Sequence, residues 1–257
     1  MISITLPSLY PDSCARTLRN ICDATRSPYE VILVSPFPPP DDLKENVTWI
    51  EEPAGTGTGC NAGHAAGFAT ARGEYLMPWV DDHFFLDGWD TIAIPTWQAR
   101  SKAYDGKPFL LGLRHIFPHH VGTEFGIYYP YFPFAARAVF EMVGWFDPAY
   151  RAGFADSDLA LRVWDAGGRC EWSDRALVHV HLEDDNRKGG VVFAGEDMTI
   201  FLSRWAEKYG QGWRTDHIRD FNIDIEPGAF PDLCVGNTVH YNTPMFRDVV
   251  LDGGWRP

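Results

Sequence analysis

A short β-branched run at residues 2–6, a helical pattern at 13–25 and an apolar run at 29–34 follow one another at the start of the chain. This order constrains the fold more than any other feature. In the first run Ile2, Ile4 and Leu6 alternate with Ser3 and Thr5 before Pro7-Ser8 ends it. In the helical segment Cys14, Leu18, Ile21 and Cys22 recur on one face. The run at 29–34 is apolar enough for a strand buried on both sides, and the proline-rich loop at 36–40 closes it. Parallel neighbours need a crossover of a dozen or more residues, usually a helix, so a strand-helix-strand opening predicts an α/β fold with a mostly parallel central sheet.

The rest of the chain continues the alternation. A short strand is expected at 47–50, then the glycine-rich stretch 55–59 and a small-residue helix over 62–72. The glycines lack both the Lys-Ser/Thr ending of a P-loop and G-x-G-x-x-G spacing, which favours a plain loop over a phosphate cradle. A strand at 75–80 runs into Asp81-Asp82-His83, although Pro78 cannot donate to a ladder and argues for an edge, a bulge or an early end. A helix follows at 88–100. After a loop-rich middle come an extended run at 128–134, a short helix at 136–142, and the turn at 144–148. Next is a helix at 156–166 with Leu159, Ala160, Val163 and Trp164 on one face. Strands at 169–172 and 176–181 and an amphipathic helix at 195–209 complete a domain over 1–209. Residues 210–257 read as an irregular, aromatic C-terminal extension, covering the acceptor side or forming a dimer contact.

Charge narrows the function classes. The formal charge of -13, with the 22 Lys and Arg scattered, repels nucleic acid and anionic lipid. An acidic chain that handles a diphosphate recruits a divalent cation, which makes clustered carboxylates the feature to find. The five cysteines form no C-x-x-C pair, so neither a disulfide framework nor a zinc site is suggested, and a reducing cytoplasm is the expected setting. No apolar stretch approaches the roughly 18 residues that span a bilayer, so a soluble protein is expected.

Four blocks in order carry a family resemblance. They are Ile2-Ser3-Ile4-Thr5-Leu6-Pro7-Ser8, the run Ala71-Arg72-Gly73-Glu74-Tyr75-Leu76 leading to Val80-Asp81-Asp82, the segment from Val139-Phe140 to Gly144-Trp145-Phe146-Asp147, and Gly153-Phe154-Ala155-Asp156-Ser157-Asp158-Leu159 with Arg162. Over residues 1 to 182 this pattern resembles the family 2 glycosyltransferases. The resemblance implies a GT-A-type, Rossmann-like α/β/α sandwich that moves a sugar from a nucleotide sugar, a UDP-sugar first, to a carbohydrate or other hydroxyl acceptor. Two positions depart from it. Ser35 stands where the family carries an Asp that holds the nucleoside, and Ala155 where it carries a Glu. The metal block reads Val-Asp-Asp instead of Asp-x-Asp.

The resemblance implies Mn²⁺ or Mg²⁺ as cofactor, held by Asp82 and Asp81, with His181 or His179 as a third ligand. Residues two apart on a strand share a face, which leaves both histidines open. Adjacent residues of an extended chain point opposite ways, so Asp81 and Asp82 share an ion only if the backbone turns there. Pro7, Ser8, Ser35, Asn61 and Asp81 are the expected donor contacts. Asp156 is the expected general base, accepting the acceptor's hydroxyl proton; the structural alternative is an N-cap, which an Asp before an apolar helical pattern also suits. Trp145 and Asp158 are the expected acceptor contacts, against core and first-turn structural roles. One base with no opposing protein nucleophile predicts inversion at the anomeric carbon. Two rivals remain: a sugar nucleotidyltransferase, which needs a basic glycine-rich loop after the first strand and finds no Lys or Arg before Arg16, and a decayed domain that only binds carbohydrate.

Overall fold

The computed structural model describes residues 1–52, 59–115, 121–124, 127–180, 194–209 and 215–218. The chain opens with β1 (Ile2–Pro7), α1 (Pro11–Ala24), β2 (Tyr29–Ser35), β3 (Val47–Glu51), α2 (Cys60–Thr70) and β4 (Tyr75–Pro78). It continues through β5 (His83–Phe85), α3 (Trp89–Ala103), β6 (Phe109–His115), β7 (Val121–Glu124), β8 (Ile127–Tyr129), β9 (Pro133–Ala136) and α4 (Arg137–Val143). Then come α5 (Ala155–Asp165), β10 (Arg169–Val180), α6 (Ala194–Tyr209) and β11 (Thr215–Ile218).

One sheet runs β3-β2-β1-β4-β9-β6-β10-β5. Its strands pair in parallel from β3 to β4 and again between β6 and β10, while β9 and β5 run against their neighbours. A GT-A-like α/β fold with a curled central sheet results. The period of two along each strand explains the layers. Leu76 and Leu110 face a core formed with Phe68 of α2 and with α4, α5 and α6, whereas Tyr75, Met77, Phe109 and Leu111 face a second core under α1 and α3. Each fully buried Leu, Ile or Phe contributes about 1.5–3 kcal/mol, so a register slip of one residue would forfeit both cores at once.

Three expectations are corrected. The run expected at 128–134 is two strands, β8 and β9, in different sheets. The two strands expected at 169–172 and 176–181 are one, β10, whose register against β6 shifts around residues 173–175. There Ser173 Oγ accepts the Arg114 amide and donates to the Arg175 carbonyl, so a side chain replaces ladder bonds where the pattern breaks. The middle called loop-rich contains β6, a central strand. The strand before Asp81 ends at Pro78, which pairs with Thr5 of β1, and the Trp79 N–H still donates to the Thr5 carbonyl at 2.8 Å. A strand of the C-terminal extension, β11, pairs antiparallel with β7 in a separate three-stranded sheet; the rest of 210–257 and most of the glycine-rich stretch lie outside the described residues. No helix among the described residues is long and apolar enough to cross a membrane.

Candidate active site

A cavity of about 660 Å³ opens beyond the carboxyl ends of β1 and β4, where the N-termini of α2 and α5 converge. Pro7, Ser8, Asp81 and Asp82 line its sheet side, Asn61 and His64 come from α2, and Asp156 comes from α5. Five of the expected site residues thus share one space with the expected base. Asp81 and Asp82 lie in a turn, not in a strand, which lets both line the cavity despite being adjacent. Asp81 is held at both ends. Ser8 Oγ donates to its Oδ2 at 2.5 Å, and Thr17 Oγ1 of α1 donates to its carbonyl at 3.1 Å. Asp82 Oδ1 lies 2.6 Å from His83 Nδ1, and the His83 carbonyl accepts Trp79 Nε1 at 3.1 Å.

Asp156 is the second residue of α5, and Phe154, in the left-handed region at φ 62°, occupies the N-cap position. The capping role open to Asp156 in the sequence is therefore not the one it takes. Its Oδ1 accepts the Ser157 N–H at 2.9 Å. Burial, only partly offset by backbone N–H groups, pushes its carboxyl from 3.8 up to about 7. Asp156 is half-buried and lines the cavity.

His64, which sequence reasoning missed, is 5% exposed, and its Nδ1 lies 2.8 Å from Thr5 Oγ1. Burial pushes its imidazole down to about 3, so it lines the cavity as a neutral ring. Nothing in the sequence marked it except the small residues around it, which let α2 approach β1: a Cβ at Gly63 would lie 2.8 Å from Pro7 Cβ. The Cys60 thiol, also in the cavity, is pushed up to about 12 by burial and by Asp156, which excludes a thiolate nucleophile near neutral pH.

Other expected contacts are not brought in. Ser35 is fully buried at the end of β2, its hydroxyl donates to the Phe37 carbonyl, and it does not line the cavity. Glu52, one strand over, lines it instead and donates its backbone N–H to the Ser35 carbonyl. Asp158 is fully buried, accepting Arg162 Nε at 2.8 Å, Trp205 Nε1 at 2.9 Å and Tyr150 Oη at 3.1 Å. It cannot touch an acceptor, because its position in the first turn of α5 faces the core. Trp145 packs 6.0 Å from the Phe140 and Phe68 rings under Arg137, and its neighbour Phe146 lines the cavity in its place. His179 is exposed on β10 opposite Phe84, away from the cavity lining, and His181 lies outside the described residues.

Among the described residues no group of three His, Cys, Asp or Glu side chains is placed to hold a metal ion by itself. The pair Asp81-Asp82 fits a different kind of site. Mg²⁺ is commonly bound through one or two carboxylates, with substrate phosphate oxygens and water filling its other positions.

No protein-family model matches the chain, and no curated protein matches it. Among solved structures, the 1–349 portion of S. aureus TarS in complex with UDP is similar at a TM-score of 0.53 and 12% identity, over 96% of this chain and 73% of that one. The same portion in complex with UDP-GlcNAc is similar at a TM-score of 0.50 and 12% identity, over 72% of this chain and 59% of that one. At such identity the likeness speaks for the fold alone, and that fold is the GT-A-like α/β architecture whose strand ends frame the cavity.

Proposed function

We propose that the chain is a glycosyltransferase that moves a sugar from a nucleoside-diphosphate sugar to an acceptor hydroxyl, with inversion at the anomeric carbon. The observation that carries this reading is the meeting of the Asp81-Asp82 turn and Asp156 in one cavity. That UDP and UDP-GlcNAc are bound in the similar TarS structures supports a uridine donor. Leu9 and Tyr10 follow β1 into the cavity, where a nucleotidyltransferase would need basic residues for a triphosphate.

In this reading Asp82 and Asp81 hold Mn²⁺ or Mg²⁺ with the donor diphosphate. The bound ion supplies a Lewis acid that offsets charge on the departing phosphate oxygens. Asp156 accepts the acceptor's hydroxyl proton while that oxygen forms its bond to the anomeric carbon. The bond to the diphosphate breaks as the new one forms, and the diphosphate leaves with the electron pair. A base whose pKa is near the working pH takes the proton readily and releases it to water afterwards. The positive ends of α2 and α5 favour an anionic ligand in the same space.

The test is a screen of nucleotide sugars with and without Mn²⁺, reading released nucleoside diphosphate, together with calorimetry of UDP. Asp82→Asn is expected to lose Mn²⁺-dependent UDP binding. Binding that is the same with and without Mn²⁺ in the native chain would sink the metal assignment. A domain that only binds carbohydrate would release no nucleoside diphosphate with any donor. NMR of the product reads the anomeric configuration, and retention would refute direct displacement.

A further inference from the structure

We infer that the Asn61 side-chain amide is the donor that grips an acceptor oxygen in the diphosphate-sugar portion of the ligand; this rests on the donor reading above and gives it a specific contact. Asn61 is 6% exposed, is the second residue of α2 and lines the cavity. Among the described residues its Nδ2 has no hydrogen-bond partner. The rest of the residue is committed. Cys60 Sγ lies 3.9 Å from Oδ1, and the backbone N–H donates to the Arg151 carbonyl at 3.3 Å. A buried donor that meets no protein acceptor is free to serve whatever the cavity holds.

The surroundings define what that is. An amide nitrogen only donates, so the partner is an acceptor oxygen and not an amine or another donor. The α2 N-terminus, whose N-cap Gly59 makes no side-chain capping bond, adds its positive end to the same place. Asn61 and Asp156 line the same cavity, so the amide shares its space with the expected base. Two ligand groups offer such an oxygen there: the diphosphate, and the carbonyl of an N-acetyl sugar. Both present an oxygen with lone pairs and no hydrogen.

Asn61→Ala and Asn61→Asp in the full chain decide the matter, by calorimetry with UMP, UDP and UDP-GlcNAc in the presence of Mn²⁺ and by thermal unfolding without ligand. Asn61→Ala is expected to weaken UDP-GlcNAc about ten- to hundredfold, as loss of a hydrogen bond to a charged or strongly polar oxygen does. It should leave the ligand-free Tm unchanged, since the amide nitrogen bonds no described residue; a structural asparagine would lower it. Asn61→Asp should weaken binding further by setting an acceptor against an acceptor. A loss shared by UDP and absent with UMP assigns the β-phosphate, and a loss confined to UDP-GlcNAc assigns the sugar carbonyl. Native-like affinity in the Ala or Asp variant overturns the inference, as does a fall in ligand-free Tm with affinities intact. If the native chain binds none of the three ligands, the donor reading itself fails.

Discussion

Asp156 combines burial with a task that needs ionisation, and the conflict has consequences that can be measured. With its carboxyl at about 7, turnover should fall as pH drops below neutrality and level off above it. Asp156→Asn is expected to lower turnover at least about a hundredfold while UDP still binds, read by released nucleoside diphosphate and by calorimetry. The same shift governs stability. A carboxyl raised in the folded state favours folding while it is protonated, fully so below the unfolded value near 3.8, and that contribution is lost as pH rises to about 7. Native Tm should therefore carry a decline between those limits that Asp156→Asn lacks, with the variant the more stable near pH 8 by about 2 °C or more. An unchanged pH profile in the variant would remove Asp156 from the mechanism. At this scale the sequence was informative where a carboxylate sits at an element's end, as with Asp82 and Asp156. It was silent on which way a side chain turns. Asp158, two residues on from Asp156, faces the core, and Ser35 turns its hydroxyl onto its own loop.

The short backbone segment 151–153 ties the start of α6 to the start of α2 beside the cavity. Asp197 in the first turn of α6 is fully buried and accepts the N–H groups of Arg151, Ala152 and Gly153 at 2.8–2.9 Å. Arg151 in turn packs on Gly59 at the start of α2, where φ is +97° and an added Cβ would lie 1.9 Å from the Arg151 carbonyl oxygen. Gly59→Ala should cost about 2 kcal/mol or more through strain and overlap, and Asp197→Asn a similar amount through unpaired amides. Because both act on residues 151–153, the double variant should lose less than the sum of the singles in urea unfolding. Strict additivity would show that the two contacts are independent. Elements were readable where hydrophobic period and turn residues agreed, as from β1 through β4 and at α5. The run Phe109 to Leu113 of β6 is as apolar on both faces as β2, but a short apolar run alone does not separate a buried strand from a buried helix segment, and it lacked the strand-helix-strand context that placed β2. β5, three residues long, exists because β10 offers it a partner, which only the assembled sheet reveals.

Across the whole molecule the formal charge of -13 opposes the approach of an anionic donor. At low ionic strength this field reaches about 30 Å, and at physiological salt about 8 Å. Association of UDP-sugar at saturating Mn²⁺ should accordingly speed up as salt is added from about 10 mM to 150 mM, by stopped-flow. A slowing would mean that a local positive potential at the cavity mouth dominates instead. The order of the large sheet has a mechanical side as well. β9 meets β4 through two residue pairs and β6 through two more, one of them at Pro133, whereas β1 meets β2 through six. The sheet is thus two broad plates joined by a narrow seam. The Asp81-Asp82 turn takes the chain from β4 on one side of this seam to β5 on the other. A molecule seated between that turn and Asp156 would act as a clasp across the seam, and deuterium uptake at residues 134–136 should drop when it binds.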